Sequence, residues 1–259
     1  MSGKVTFTKE GPIATVVIEN AERLNALSLS MWRQLRAAFE ELAHDRDDTR
    51  CIVLRGAGDA FAAGADIAEF ENERYDIPTA RAYGKAIHPA LVAISECPHP
   101  VISMIHGPCV GGGLEIAGRT DIRICDESAR FGIPVNRLGL VVAYAELKAL
   151  LDIVGPSFAM EMLLEGRIYG AGDALRMGLV NRVVPDAELE KETYATAKRI
   201  AEGAPLAARW HKKFVRRLLE PKPLREDELD ESFDCFGTED FRIGYRAFLE
   251  KKKPQFKGH

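Results

Sequence analysis

A chain of 259 residues in which 46% are hydrophobic and 29% charged has the composition of a globular protein with a substantial core, which excludes disorder and collagen-like repetition. Its formal net charge of −4 gives no overall attraction to nucleic acid or to an anionic membrane surface. The opening MSGKVTFTKEG lacks the apolar stretch of a secretion signal and no segment has the roughly 20 apolar residues of a membrane span, so a cytoplasmic protein without membrane or nucleic-acid partners is expected.

VTFT, the turn residues KEGP and then IATVVIE predict an opening hairpin rich in β-branched residues. Ser28 or Ser30 is a suitable N-cap for a helix in which Met31, Leu35, Phe39 and Leu42 recur on one face. Asp45 to Arg50 reads as a polar connection, and CIVLRG as a buried strand ending in glycine. Repetition of that pattern at VISMIHG and IRIC predicts an α/β fold with a largely parallel sheet. Beyond residue 145 the composition turns helical: AELKALLDIVG, PSFAMEMLLEG, GAGDALRMG and ELEKETYATAKRIAEGAP are separated by glycine and proline, with GLVNRVV as the chief strand-like exception. RIGYRAFLEKKKPQF predicts a last helix that ends in an exposed basic cluster. The five cysteines (51, 97, 109, 125 and 235) are odd in number and scattered, with no C-x-x-C pair, so they are expected in the core rather than in disulfides or a zinc site.

Two loops can carry chemistry. RGAGDAFAAGADIAEF (55–70) follows a predicted strand, and its small residues leave backbone N–H groups open to a ligand. Phe61 stands where a dinucleotide fingerprint needs glycine, and a Walker lysine is missing, so both nucleotide motifs fall and an ordinary tight connection is the alternative. In HGPCVGGGLEIAGRTDIRIC (106–125), Gly111, Gly112 and Gly113 precede a helix, presenting its N-terminal amides unobstructed. Glu115 in the first turn reaches the same space; close packing is the alternative for the glycines.

With NAERLNALS (20–28), FAAGADI (61–67), H-G-x-x-x-G-G-G-x-E (106–115), ARFGIP (129–134) and GRIYGAGDALRMGLVNRVV (166–184) in order along almost the whole chain, the sequence resembles the crotonase, or enoyl-CoA hydratase/isomerase, superfamily. The resemblance implies a spiral of repeated ββα units over 1–195 and a helical region over 196–259 for oligomer contacts and CoA coverage, in a homotrimer or dimer of trimers. It implies an acyl-CoA substrate and no metal or cofactor beyond the CoA moiety. It assigns the oxyanion hole to the N–H groups of Ala65 and Gly112, the general acid/base to Glu115, and the adenine-recognising loop to Ala63, Ala65, Asp66 and Ile67. Arg23 and Leu24 fall at CoA contacts, Gly111, Pro134 and Val135 at the substrate, and Phe248 and Lys251 where a neighbouring subunit's tail helps hold CoA.

The sequence departs from the hydratase pattern at Val135, where a second glutamate is expected, and at Val142 to Glu146, where a Pro-Gly-rich turn is usual. Valine transfers no proton, so hydration needs a substitute group or gives way to another reaction. Tyr144 and Glu146 are candidate substitutes if their loop reaches the acyl pocket, against a structural reading of both. Pro134-Val135-Asn136 resembles methylmalonyl-CoA decarboxylases. An acyl-CoA decarboxylase, a double-bond isomerase and a catalytically weak acyl-CoA-binding protein are the alternatives to a hydratase. His88 and His106 read first as structural, Asp121 as a cap or ion-pair partner, and Trp32 and Trp210 as packing residues.

Overall fold

The computed structural model describes residues 3–46 and 48–259; Met1 and Ser2 of the opening segment and Asp47 of the polar connection lie outside the described residues. Strands β1 (Lys4–Glu10) and β2 (Ile13–Glu19) form the expected antiparallel hairpin, and the alternation in β2 sends Ala14, Val16 and Ile18 inward. Ser28 caps helix α1 (Leu29–His44), accepting a hydrogen bond from the Met31 amide, and the predicted apolar face is buried. Strand β3 (Cys51–Gly56) pairs parallel to β2. After the short helix α2 (Phe70–Glu73), Asp76 and Thr79 form a capping box that starts α3 (Ile77–Glu96), whose inward face includes Tyr83, Ile87 and Leu91.

Strand β4 (Val101–Ile105) continues the parallel sheet, β5 (Pro108–Val110) leaves it, and α4 (Gly112–Ala117) follows at once. β6 (Ile122–Asp126) returns to the first sheet and β7 (Arg130–Gly132) to the second. Helix α5 (Tyr144–Glu165) is broken at Gly155, whose φ of 71° no interior helical residue adopts, and Pro156 restarts it, so the two predicted helical segments share one long element. β8 (Tyr169–Gly170), α6 (Ala171–Arg176) and β9 (Arg182–Val184) complete the alternation. The strand order is β1-β2-β3-β4-β6-β9 in one sheet and β5-β7-β8 in a smaller one. From β4 to β7 the chain alternates between the two sheets, as an ascending spiral would.

Helices α7 (Leu189–Ala201), α8 (Pro205–Leu218), α9 (Glu226–Asp230) and α10 (Glu239–Leu249) close the chain. α8 is tied down through Lys212, which donates to the His99 carbonyl at 2.6 Å and pairs with Asp121 at 2.7 Å. Burial pushes the Lys212 ammonium down in pKa while Asp121 opposes it, and Arg216 reaches the same carboxylate at 3.0 Å. Asp121 is therefore the expected ion-pair partner. Cys51, Cys97, Cys109 and Cys125 are buried as expected; Cys235 is only half-buried, because its segment lies over α8 at the surface rather than in the core. No helix among the described residues is long and apolar enough to cross a membrane.

Candidate active site

The site is made by two loops that touch backbone to backbone. The Ala62 amide donates to the Pro108 carbonyl at 2.9 Å, and the Val110 amide returns a bond to the Ala62 carbonyl at 3.0 Å. A Cβ at Gly113 would stand 2.2 Å from the Ala62 carbonyl oxygen, so only glycine lets α4 seat against that strand end. Gly111 has φ 51° and ψ −120°, a conformation open to glycine alone, and it turns the chain sharply from β5 into α4. The consequence is that the N–H groups of Ala65 and Gly112 lie side by side: the Cβ direction of Gly112 points within 3.5 Å of the Ala65 nitrogen. Neither amide has a hydrogen-bond acceptor among the described residues. The buried Trp32 indole packs directly beneath Gly112.

Asn25 holds the first loop in place. It is fully buried at a positive φ of 59°, donates to the carbonyls of Ala57 and Ala60 at 2.8 and 2.7 Å, and accepts from the Asn20 amide at 2.8 Å. The Ala63 amide then bonds the Leu24 carbonyl and the Leu27 amide bonds the Gly64 carbonyl. Arg23, Leu24, Ala63, Ala65, Asp66 and Ile67 are brought together in this way, with Arg23 paired to Asp66 and both Leu24 and Ile67 half out in solvent. Sequence reading placed Asn25 within a motif without giving it this role; the signal was an asparagine in a turn beside small-residue segments.

Behind the amides lies a cavity of about 270 Å³. Ala63, Ala65, Ile67, Gly111, Gly112, Glu115, Pro134 and Val135 line it, as do Phe70, Arg74, Tyr83 and Glu146. The Glu115 carboxyl has no hydrogen-bond partner among the described residues, and burial, reinforced by the nearby charge of Glu146, pushes it up to about 7. Arg74 and Arg119 oppose that rise. Arg119, one turn beyond Glu115 in sequence, donates to the Ala145 carbonyl at 2.5 Å; its own pKa is lowered by burial and held up by Glu146 and Glu115. Arg74 lies over the rings of Phe70 and Tyr83 at 4.6 and 4.8 Å. Burial raises the Tyr83 hydroxyl to about 12, so it stays protonated at neutral pH.

Other sequence candidates sit elsewhere. Tyr144 is 94% exposed and does not line the cavity, whereas Glu146, two residues on, does. His106 is clamped by Asp126 and Ser128 and does not line the cavity, and His88 is exposed on α3. Trp210 is half-buried on α8, away from the cavity. Phe248 and Lys251 are exposed at the end of α10 and do not line this chain's cavity. Two larger clefts, of about 750 and 920 Å³, run along α8 and hold none of the candidate residues apart from Trp210 in one and Asp121 in the other.

Paired amide donors and a proton-bearing carboxyl around one cavity can stabilise negative charge on an oxygen and move a proton beside it. The enoyl-CoA hydratase/isomerase family model matches residues 8–259. The chain is 32% identical over 252 residues to the short-chain-enoyl-CoA hydratase of Clostridium acetobutylicum, covering 96% of this chain and 95% of that protein. It is 32% identical over 255 residues to the crotonyl-CoA hydratase of Syntrophomonas wolfei, covering 97% of each. The crystal structure of an enoyl-CoA hydratase/carnithine racemase from Magnetospirillum magneticum superposes with a TM-score of 0.97 at 48% identity, covering 98% of this chain and 96% of that one. Spiral fold, double loop and comparisons agree on an enzyme of the crotonase superfamily. The chain belongs to the enoyl-CoA hydratase/isomerase family.

Proposed function

We propose that the protein hydrates a 2-enoyl-CoA thioester, with the amides of Ala65 and Gly112 receiving the thioester oxygen and Glu115 acting as general acid/base. The observation that carries this reading is the pair of unengaged, neighbouring N–H groups on one cavity with a carboxyl whose burial raises it to about 7. As an enolate-like oxygen develops, both donors strengthen their bonds to it, which lowers the barrier rather than merely tightening binding. A carboxyl that titrates near neutrality is matched to taking and returning a proton. Arg23, Leu24, Ala63, Asp66 and Ile67 form the rim over which the CoA moiety lies, while Gly111, Pro134 and Val135 contact the acyl part. In a homotrimer or dimer of trimers, Phe248 and Lys251 of a neighbouring copy cover CoA. The 196–259 region supplies those contacts to the 1–195 core, and no cofactor beyond CoA itself is needed, in a cytoplasmic enzyme.

Val135 favours a second reading, decarboxylation or double-bond migration on the same amide pair, because this cavity residue carries no transferable proton. Trans-2-enoyl, 3-enoyl and malonyl-type thioesters assayed side by side separate the two. Hydration predicts kcat/KM for the trans-2-enoyl thioester at least ~100-fold above the others. Preference for a 3-enoyl or malonyl-type thioester overturns it in favour of the second reading, and stoichiometric binding without turnover of any thioester leaves a binding protein.

A further inference from the structure

Glu146 is the remaining carboxylate of the cavity, and its position is unusual for a structural residue. It stands in the first turn of α5, whose start is pinned by the Arg119 bond to the Ala145 carbonyl. Its Oε2 atom is buried and has no hydrogen-bond partner. A carboxylate oxygen shut away from water without a donor is costly, and an apolar residue at 146 would avoid that penalty. Glu146 lines the cavity that also holds Glu115 and Val135.

Resting on the hydration reading above, we infer that Glu146 is the second catalytic carboxylate, doing from the start of α5 what Val135 cannot do. The reaction requires one proton on the two carboxyl groups together. The oxygen of a bound water forms a bond to the β-carbon while the ionised member of the pair takes one of its protons. Electrons of the C=C bond pass to the thioester oxygen at the Ala65 and Gly112 amides, and return as the protonated member gives its proton to the α-carbon. One water has then been added and one proton remains on the pair, now on the opposite carboxyl, to be exchanged back before the next turnover. The charged and titratable groups facing the pair are Arg74 from the segment after α2, Tyr83 from α3 and Arg119 from the turn after α4. Asp152 and Arg216 act on Arg119 from behind.

The test is steady-state hydration of crotonyl-CoA by the full chain, by Glu146→Gln and by Val135→Glu/Glu146→Gln, each over pH 5–9, with butyryl-CoA binding as the check on folding. The expected result is a ~100-fold or larger fall in kcat for Glu146→Gln with KM within about 3-fold, loss of one limb of the pH profile, and recovery of at least ~10-fold in the double variant. Turnover of Glu146→Gln within about 3-fold of the parent overturns the assignment, as does a fall that leaves both limbs in place or a double variant that recovers nothing. A parent protein that binds the thioester but adds no water overturns the hydration reading itself, and this inference with it; the other failures remove Glu146 alone.

Discussion

Glu115→Gln is expected to lower hydration of a trans-2-enoyl thioester by about 10²–10⁴ in kcat while leaving thioester binding within a few-fold, because the amide has the carboxyl's shape without its exchangeable proton. The same substitution is expected to make the protein more stable in alkali. Burial raises the Glu115 carboxyl from its ordinary 4.5 to about 7, so below pH 4.5 folded and unfolded chains are both protonated there and the group exerts no pH-dependent effect. As pH rises toward 7 the unfolded chain loses this proton and the folded one keeps it, so native stability falls until the folded group ionises too. The span from 4.5 to about 7 corresponds to about 3 kcal/mol, which glutamine does not forfeit. Glu115→Gln should therefore melt about 5–10 °C above the parent at pH 8 and level with it at pH 4. Thermal unfolding at both pH values, run beside the kinetics, checks the two halves: a variant with full turnover contradicts the catalytic assignment, and an unchanged melting difference contradicts the buried, raised carboxyl.

Gly113→Ala is expected to remove activity from the opposite direction, leaving Glu115 in place and separating the two loops. The added methyl would lie 2.2 Å from the backbone carbonyl of Ala62, which cannot swing aside as the end of a flexible side chain would. Either α4 or the 60–65 loop must back away, and the Gly112 and Ala65 amides then no longer aim at one point. Loss of one properly aimed donor is worth about 10²–10³ in kcat, and shifting both should reach at least that. Overpacking of this kind destabilises by about 1–3 kcal/mol. Urea unfolding and kinetics of Gly113→Ala beside Gly58→Ala make the comparison, since a methyl at Gly58 meets nothing within 4 Å although its positive φ of 61° is also strained. Similar losses of turnover in both variants would contradict the loop-docking explanation.

The parts of the fold that were legible in the sequence are those fixed by local chemistry. The hairpin followed from alternating β-branched residues around KEGP, and the start of α1 from Ser28 three residues before the Met31 amide it accepts from. β3, β4 and β6 showed as apolar runs because both faces of that sheet are covered. β5, β7 and β8 were not predicted as strands: they span 3, 3 and 2 residues, too short for a period, and exist through pairing with distant partners.

At the site, Ala65, Gly112 and Glu115 were readable from glycine spacing and from the resemblance, and the structure brings them to one cavity. Tyr144 and Glu146 were indistinguishable in sequence. Two residues at the start of a helix point about 200° apart, so one faces solvent and the other the cavity, and only the placement of α5 decides which. Asn25 was readable only as a turn asparagine, because the carbonyls it holds lie 32 and 35 residues away. His106 lies next to the glycine loop in sequence, yet Asp126 holds its ring and it does not line the cavity.

Mass-spectrometric turnover of crotonyl-CoA by the purified protein in H₂¹⁸O tests most directly whether this cavity adds water to an enoyl thioester despite Val135. The account predicts ¹⁸O-labelled 3-hydroxybutyryl-CoA at an enzymatic rate, abolished in Glu115→Gln. Unlabelled crotonyl-CoA recovered from a protein that binds the thioester would contradict it.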